Sequence, residues 1–246
     1  MDYSTVPGGP MIIISAEFDL ADPNGIAKAM DVAGPLQQAT RNDEPGCLSY
    51  VFAPDPCIAG RIQVYEVWED EASLSAHFDH ENYTNMAAGV RTVGLKAATN
   101  AKYRVTASEP VYDDSHTPRA DFVSEDLQAP DEMIVIGGTI DVGDPSTIDD
   151  ALERSIPFQM ASREEEAGCR AYVFYKDPCV EGRIQVYELW DNYAALAPHF
   201  EHVNYRNMGG LLRGLDIKSD NRKYRCDLSE PVYDDTPRAR ADFFTG

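Results

Sequence analysis

Residues 55–86 read DPCIAGRIQVYEVWEDEASLSAHFDHENYTNM, and residues 177–208 read DPCVEGRIQVYELWDNYAALAPHFEHVNYRNM. The same unit is written twice. At an offset of 122 the likeness extends outward, pairing Met11-Ile-Ile-Ile with Met133-Ile-Val-Ile and Gly46-Cys47 with Gly168-Cys169. After a one-residue slip, Ser108-Glu-Pro-Val-Tyr-Asp-Asp pairs with Ser229-Glu-Pro-Val-Tyr-Asp-Asp. Between 46 and 86, 25 of 41 positions are identical in the second copy, enough to require one fold for both. The expected organisation is an N-terminal tail (1–10), a first half (11–114), a linker arm (115–132), a second half (133–235) and a C-terminal arm (236–246).

Composition narrows the partners. A chain of 246 residues with 43% hydrophobic content can bury two ordinary cores. Its 42 acidic against 21 basic residues, a net charge of −21, repel phosphate backbones and anionic lipid. Neither nucleic acid nor a membrane is therefore an expected partner. The apolar run Met11–Ile14 is too short for a signal peptide or a spanning helix, and the segment before it lacks basic residues, so a soluble cytoplasmic protein is expected. The five cysteines form no C-x-x-C pair and read as reduced thiols, with Cys226 in the place of Val105 as a small core hydrophobe.

Within each copy the pattern predicts β-α-β-β-α-α-β. A strand over Met11–Leu20 precedes Asp22-Pro23, an N-cap followed by proline (Asp144-Pro145 in the second copy). The helix that follows carries Pro35, or Pro157, which is expected to kink or interrupt it. The β-rich runs Leu48–Phe52 and Arg61–Trp68 read as a hairpin, a helix starts near Asp70, and another covers roughly Tyr83–Val93 behind Asn82 as N-cap. The last strand is expected over Lys102–Ala107. That order defines a ferredoxin-like α+β unit with helices on one face of its sheet. The expected fold is thus α+β, two such units packed sheet to sheet as an intrachain, pseudo-dimeric barrel.

Chemistry-bearing residues recur in both copies. His77 and His199 lie on the apolar stripe of their helices facing the strands of Trp68 and Trp190, where an imidazole could serve as a base beside an aromatic wall or as a buried, hydrogen-bonded structural residue. Glu66 and Glu188 share a strand face with those tryptophans, as paired structural carboxylates or as pocket acids. Tyr83, Met86 and Asn82, with Tyr205, Met208 and Asn204, open the next helix. Arg91 and Arg213 stand beyond it, as anion-orienting groups or simple ion-pair partners. His80 and His202 read as end caps of the preceding helix. A His77-x-x-His80 metal pair has the wrong spacing for a zincin and no third ligand, so no metal is expected.

Gly46-Cys47, Tyr50, Tyr65-Glu66-Val67-Trp68, Ala72, Leu74 and His77, repeated as Tyr187-Glu188-Leu189-Trp190, Ala194, Leu196 and His199, resemble the antibiotic biosynthesis monooxygenase family over about 11–112 and 133–233. The resemblance implies dimeric α+β barrels that oxidise phenolic, quinol or polyketide-like aromatic substrates with O2, without flavin, haem or metal. It implies His77 and His199 as bases, with Trp68, Trp190, Tyr83, Tyr205, Met86, Met208, Asn82, Asn204, Arg91, Arg213, Glu66 and Glu188 about the substrate. No G-x-G-x-x-G follows a strand and no phosphate-cradling G-x-x-x-x-G-K-[ST] is present, in keeping with no nucleotide cofactor. The stretches Asn85–Gly89 and Asn207–Leu211 contain no histidine where haem-degrading relatives ligate iron. A non-catalytic small-molecule-binding or stress-associated barrel, an isomerase or lyase on the same scaffold, and a homodimer of the tandem barrel stay open. The two pockets should differ, since Ala76 becomes Pro198 and Glu71 becomes Tyr193. The shared Pro-Arg and Ala-Asp-Phe elements that end each copy predict arms docking on the opposite half, with Arg119 or Arg238 near an acidic surface.

Overall fold

A computed structural model describes residues 9–123 and 131–245. Of the expected tail, 1–8 fall outside the described residues, as do 124–130 of the linker. The chain divides into two compact units: residues 1–106 with 228–246, and residues 107–227. Each is thereby completed by the segment that follows the other repeat.

The first unit runs β1 (Ile12–Leu20), α1 (Ile26–Asp43), β2 (Cys47–Pro54), β3 (Arg61–Trp68), α2 (Glu71–Asp79), α3 (Glu81–Thr92) and β4 (Leu95–Pro110, whose last residues pass into the second unit). The second repeats the order with β5 (Met133–Val142), α4 (Ile148–Glu165), β6 (Cys169–Lys176), β7 (Arg183–Trp190), α5 (Tyr193–His199), α6 (Val203–Arg213) and β8 (Ile217–Glu230). Strand orders β2-β3-β1-β4 and β8-β5-β7-β6, antiparallel at each pair described here, make both units ferredoxin-like α+β folds.

Alternation sets what each strand face does. On β3, Ile62, Val64 and Trp68 enter the first unit's core with Ile12, Ile14, Tyr50, Leu74 and Met86, while Ile13, Val51, Tyr65 and Val67, of opposite parity, are buried as well. Each such large apolar side chain removed from water stabilises by about 1.5–3 kcal/mol. The second unit rebuilds the same core around Ile134, Ile136, Tyr172, Trp190, Leu196 and Met208. Cys226 is fully buried, and burial pushes its thiol well above the usual range, as befits a packed hydrophobe.

Several local readings are corrected. Asp22 and Asp144 cap short 3-10 turns, Pro23–Gly25 and Pro145–Thr147, that feed into α1 and α4. Pro35 and Pro157 interrupt neither helix; both run 18 residues through the proline. The tertiary frame holds them there: Gln37 clasps the Phe52 backbone at both ends of its amide (3.2 and 3.1 Å), and Gln159 clasps Phe174 (3.3 and 2.9 Å). Asn82 is not an N-cap. His80 caps α3, its Nδ1 accepting from Asn82 N–H at 3.1 Å. His202 does the same for α6 at 3.3 Å.

The arms dock by a device that the strand pattern hides. Lys102, fully buried on β4, points its ammonium at the C-terminal arm, donating to Arg240 O (2.7 Å) and Asp242 O (2.5 Å) and pairing with Glu230 (2.9 Å). Phe243 and Phe244 lie 5.2 and 4.6 Å from its charge. In the second unit Lys223 donates to Arg119 O (2.9 Å) with Phe122 at 5.1 Å, while Glu109 stands off at 3.9 Å. The bridges Tyr112 to Pro118 and Tyr233 to Ala239 set the arm equivalence at a constant 121, so Arg119 answers Arg240 and His116 answers Pro237. The Thr-Pro-Arg match is coincidental. Arg119 and Arg240 pair with Asp121 and Asp242 of their own arms instead of an acidic surface.

Candidate functional site

Each unit holds an apolar cavity between the helix-facing side of its sheet and its last helix. In the first unit the cavity measures about 220 Å³, with Tyr50, Phe52 and Val64 as floor, Phe78, Met86 and Val90 as roof, and Tyr233 of the arm at one side. The cavity of the second unit, about 500 Å³, is built from the equivalent residues together with the rim residues His116, Pro118 and Arg206, whose counterparts Pro237, Ala239 and Thr84 line an adjoining hollow of about 420 Å³ in the first unit beside Arg91, Arg238 and Arg240. An arm tyrosine lines each. Tyr233 Oη meets Tyr83 Oη at 2.9 Å, and Tyr112 Oη meets Tyr205 Oη at 3.1 Å.

One buried carboxyl lies in each cavity wall. Glu66 sits at the centre of β3, opposite Ile14 on one side and Tyr50 on the other, and Trp68 Nε1–H donates to its Oε2 at 2.9 Å. Burial in this apolar lining pushes its pKa up to about 8, although the indole hydrogen bond opposes the shift; the charge on Glu44 adds to it. Glu188 is raised in the same way, by burial, and accepts from Trp190 at 3.0 Å. With its pKa near 8, Glu66 holds its proton near neutral pH and releases it just above, the range suited to general acid–base work.

The histidines form a layer behind that wall. His77 stacks on Trp68 (ring centroids 4.5 Å apart) and meets Tyr50 and Tyr83 edge-on at 5.1 and 5.3 Å. Its Nδ1 lies 2.6 Å from Glu44 Oε2, and Asn82 Nδ2 donates to Glu44 Oε1 at 2.9 Å. Burial lowers the pKa of His77 despite the neighbouring carboxylate. We therefore place a neutral ring there, its proton on Nδ1 and donated to Glu44. The second unit reproduces the frame: His199 Nδ1 to Glu166 at 2.7 Å, Asn204 to Glu166 at 3.2 Å, and His199 on Trp190 at 4.6 Å. Burial alone would raise Glu166, but its hydrogen bonds with His199, Ser162 and Asn204 hold it below the usual carboxylate range.

The structure thus sorts the expected residues. Glu66, Tyr83, Met86 and Arg91, with Glu188, Tyr205, Met208 and Arg213, line the cavities. His77, His199, Trp68, Trp190, Asn82 and Asn204 do not; they hold the carboxyl and helix in place from behind. Of the two readings of the histidines, their burial and hydrogen bonding behind the wall match the structural one, and the ionisable side chain on the cavity wall itself is a carboxyl. Glu44 and Glu166 were not singled out in the sequence, nor were Lys102, Lys223, Tyr112 and Tyr233 as arm contacts. The repeat carried the signal, since the offsets that pair His77 with His199 also pair Glu44 with Glu166 and Tyr112 with Tyr233.

Fold and cavity together define a protein with two α+β units, each with an apolar cavity that has one buried carboxyl in its wall. Its lineage is specific: the chain belongs to the antibiotic biosynthesis monooxygenase family, whose sequence pattern matches residues 11–89 and 123–209. An uncharacterized protein of Synechocystis sp. is 35% identical over 79 residues, 32% of this chain and 52% of that protein, so the match spans about half of the relative's length. Among solved structures, a proposed monooxygenase from Lactobacillus acidophilus is similar over 90% of this chain and 96% of its own, at 12% identity and a TM-score of 0.39. An anthrone oxidase-like protein covers 99% of each chain at 12% identity and a TM-score of 0.36. Among the described residues, no helix is long and apolar enough to cross a membrane.

Proposed function

We propose that this protein is a monooxygenase that oxidises a phenolic or quinol-type aromatic ring with O2, taking the electrons from the substrate itself and using no separate cofactor. The observation that carries the reading is Glu66, a carboxyl buried in an aromatic-lined cavity with its pKa pushed up to about 8, and Glu188 after it, buried in the same way and raised by that burial. The ring lies between Phe52 and Met86, apolar surfaces that favour its burial. The carboxylate form of Glu66 removes an acidic ring proton, leaving an electron-rich anion against apolar walls.

O2 then adds to that anion at a ring CH2 conjugated with the phenol. The O–O bond breaks, one oxygen remains as a carbonyl, and the other leaves as water with the two hydrogens of the CH2 group. The ring loses two hydrogens and gains one oxygen, so no external reductant enters. His77, held by Glu44 and stacked on Trp68, keeps the indole N–H aimed at Glu66 and is a positioning residue. The test is O2 uptake over a panel of anthrones and hydroquinones: the reading requires uptake matched to carbonyl product. A protein that binds such rings without consuming O2 is instead a ligand-binding member of the family.

A further inference from the structure

The wall carboxyl is not the only polar feature that the two cavities share. In the first unit Tyr83, Arg91 and Tyr233 line both the apolar cavity and the adjoining hollow, so they stand at the passage from one to the other. Tyr112, Tyr205 and Arg213 repeat the trio in the second unit. The helix supplies one tyrosine and, about two turns on, the arginine; the arm brings in the other tyrosine. Those arm residues, Tyr233 and Tyr112, lie outside the stretches that match the family pattern.

The trio is a cluster of donors. Burial pushes the hydroxyls of Tyr83, Tyr112 and Tyr205 above the usual phenol range, so they keep their hydrogens. The two hydroxyls of each pair, in contact at 2.9 and 3.1 Å, spend one hydrogen between them and have one left for a third oxygen. The charge of Arg91 acts on Tyr83, and that of Arg213 on both Tyr112 and Tyr205. Neither arginine has an ion-pair partner among the described residues. The other charged groups near the first trio line the hollow and not the cavity: Glu71 and Asp79 of α2, Arg238, and Asp242, which Arg240 holds at 2.8 and 2.6 Å. Near the second trio they are the rim residues His116 and Arg206.

We infer that the arm tyrosines Tyr233 and Tyr112 are ligand-binding residues: with Tyr83 and Arg91, or with Tyr205 and Arg213, each receives the phenolate oxygen of an aromatic ligand. When the wall carboxylate takes a proton from the ring, negative charge passes to the ligand's oxygen, and donors already in place there stabilise it. The inference rests on the aromatic-ligand reading of the cavities and not on reaction with O2. Its test is a pH titration, followed by visible absorption, of a monohydroxyanthraquinone bound to the full chain, a dye inert to O2 whose colour reports ionisation of its phenol. We expect the bound dye to ionise on the order of tenfold or more readily than the free dye, lowering its midpoint by about one pH unit or more. Both the net charge of −21 and Glu66 as it ionises work the other way, so a downward shift has to come from local donors. Y112F/Y233F keeps both rings and loses only their hydroxyls; it should melt like the natural chain, bind the neutral dye as tightly and lose most of the shift. R91Q/R213Q, altered at exposed helix positions, should shrink the shift as well. A bound dye that ionises no more readily than the free one, or a shift that survives in either folded variant, would overturn the inference and leave the aromatic-ligand reading in place. A dye that does not bind at all would remove both.

Discussion

The frame behind the cavities and the walls in front of them have diverged at different rates between the two units. Glu44, His77, Asn82, Trp68 and Glu66 recur as Glu166, His199, Asn204, Trp190 and Glu188 with corresponding polar contacts differing by a few tenths of an ångström. Phe18, Ala16, Ala87 and Thr84 all changed, to Ile140, Gly138, Gly209 and Arg206. Gly138 shows how one wall residue redirects its surroundings. A methyl group there would stand 2.2 Å from Asn221 Oδ1 and 2.5 Å from the Asp220 carbonyl, so glycine lets the Asn221 amide fold over the strand. In the first unit Ala16 fills that place, and the equivalent Asn100 instead accepts the arm's Val232 N–H at 2.9 Å. In the second, the arm's Val111 N–H bonds to the Asn221 main-chain carbonyl at 3.0 Å. What stayed constant is the apparatus that holds a buried carboxyl; what varied is the set of side chains lining the space before it.

The largest effect that would sharpen the comparison concerns the arms. Lys102→Met leaves Glu230 buried without its cation and frees two arm carbonyls, so it should destabilise by about 3 kcal/mol. Lys223→Met, with Glu109 at 3.9 Å, should cost only about 1 kcal/mol. Urea unfolding of both variants checks this; equal losses would mean that the two arms are anchored alike. A smaller effect separates the walls. Ile140→Phe should narrow the second cavity and weaken tricyclic ligands by about tenfold, while Phe18→Ile should widen the first at a cost of about 1 kcal/mol in stability. Crystal structures of the two variants that left both cavity volumes unchanged would break the assignment of size to this pair.

The fold was legible because the repeat, the alternation of Arg61–Trp68 and the cap Asp70, which accepts from Ser73 N–H at 2.8 Å, all act locally. Pro35 misled because its effect was judged on the helix alone, whereas Gln37 and the sheet hold that helix from outside. The site was half legible. Glu66 was placed on the right strand face by period two, but its burial depends on α3 and the arm, which pattern along one strand does not report. His77 looked like a base because imidazole suits neutral pH; its partner Glu44 lies 33 residues away, beyond the end of α1, and only the folded chain brings them together. The arms were misaligned by the chance recurrence of Thr-Pro-Arg, which backbone pairing resolves.

The central claim is that a cavity carboxyl, not the histidine behind it, removes the substrate proton. The most direct measurement is the pH profile of kcat/KM for O2 uptake by the natural chain and by E66Q/E188Q, with melting curves to verify folding. Because the carboxylate is the active form and the pKa of Glu66 lies near 8, the rate should climb about tenfold per pH unit below that value and level above it. In E66Q/E188Q, where each glutamine still offers the indole an acceptor, uptake should fall by on the order of a hundredfold or more and lose that rise. A folded E66Q/E188Q protein that keeps the natural rate and the same pH profile would contradict the account and return the role of base to another group.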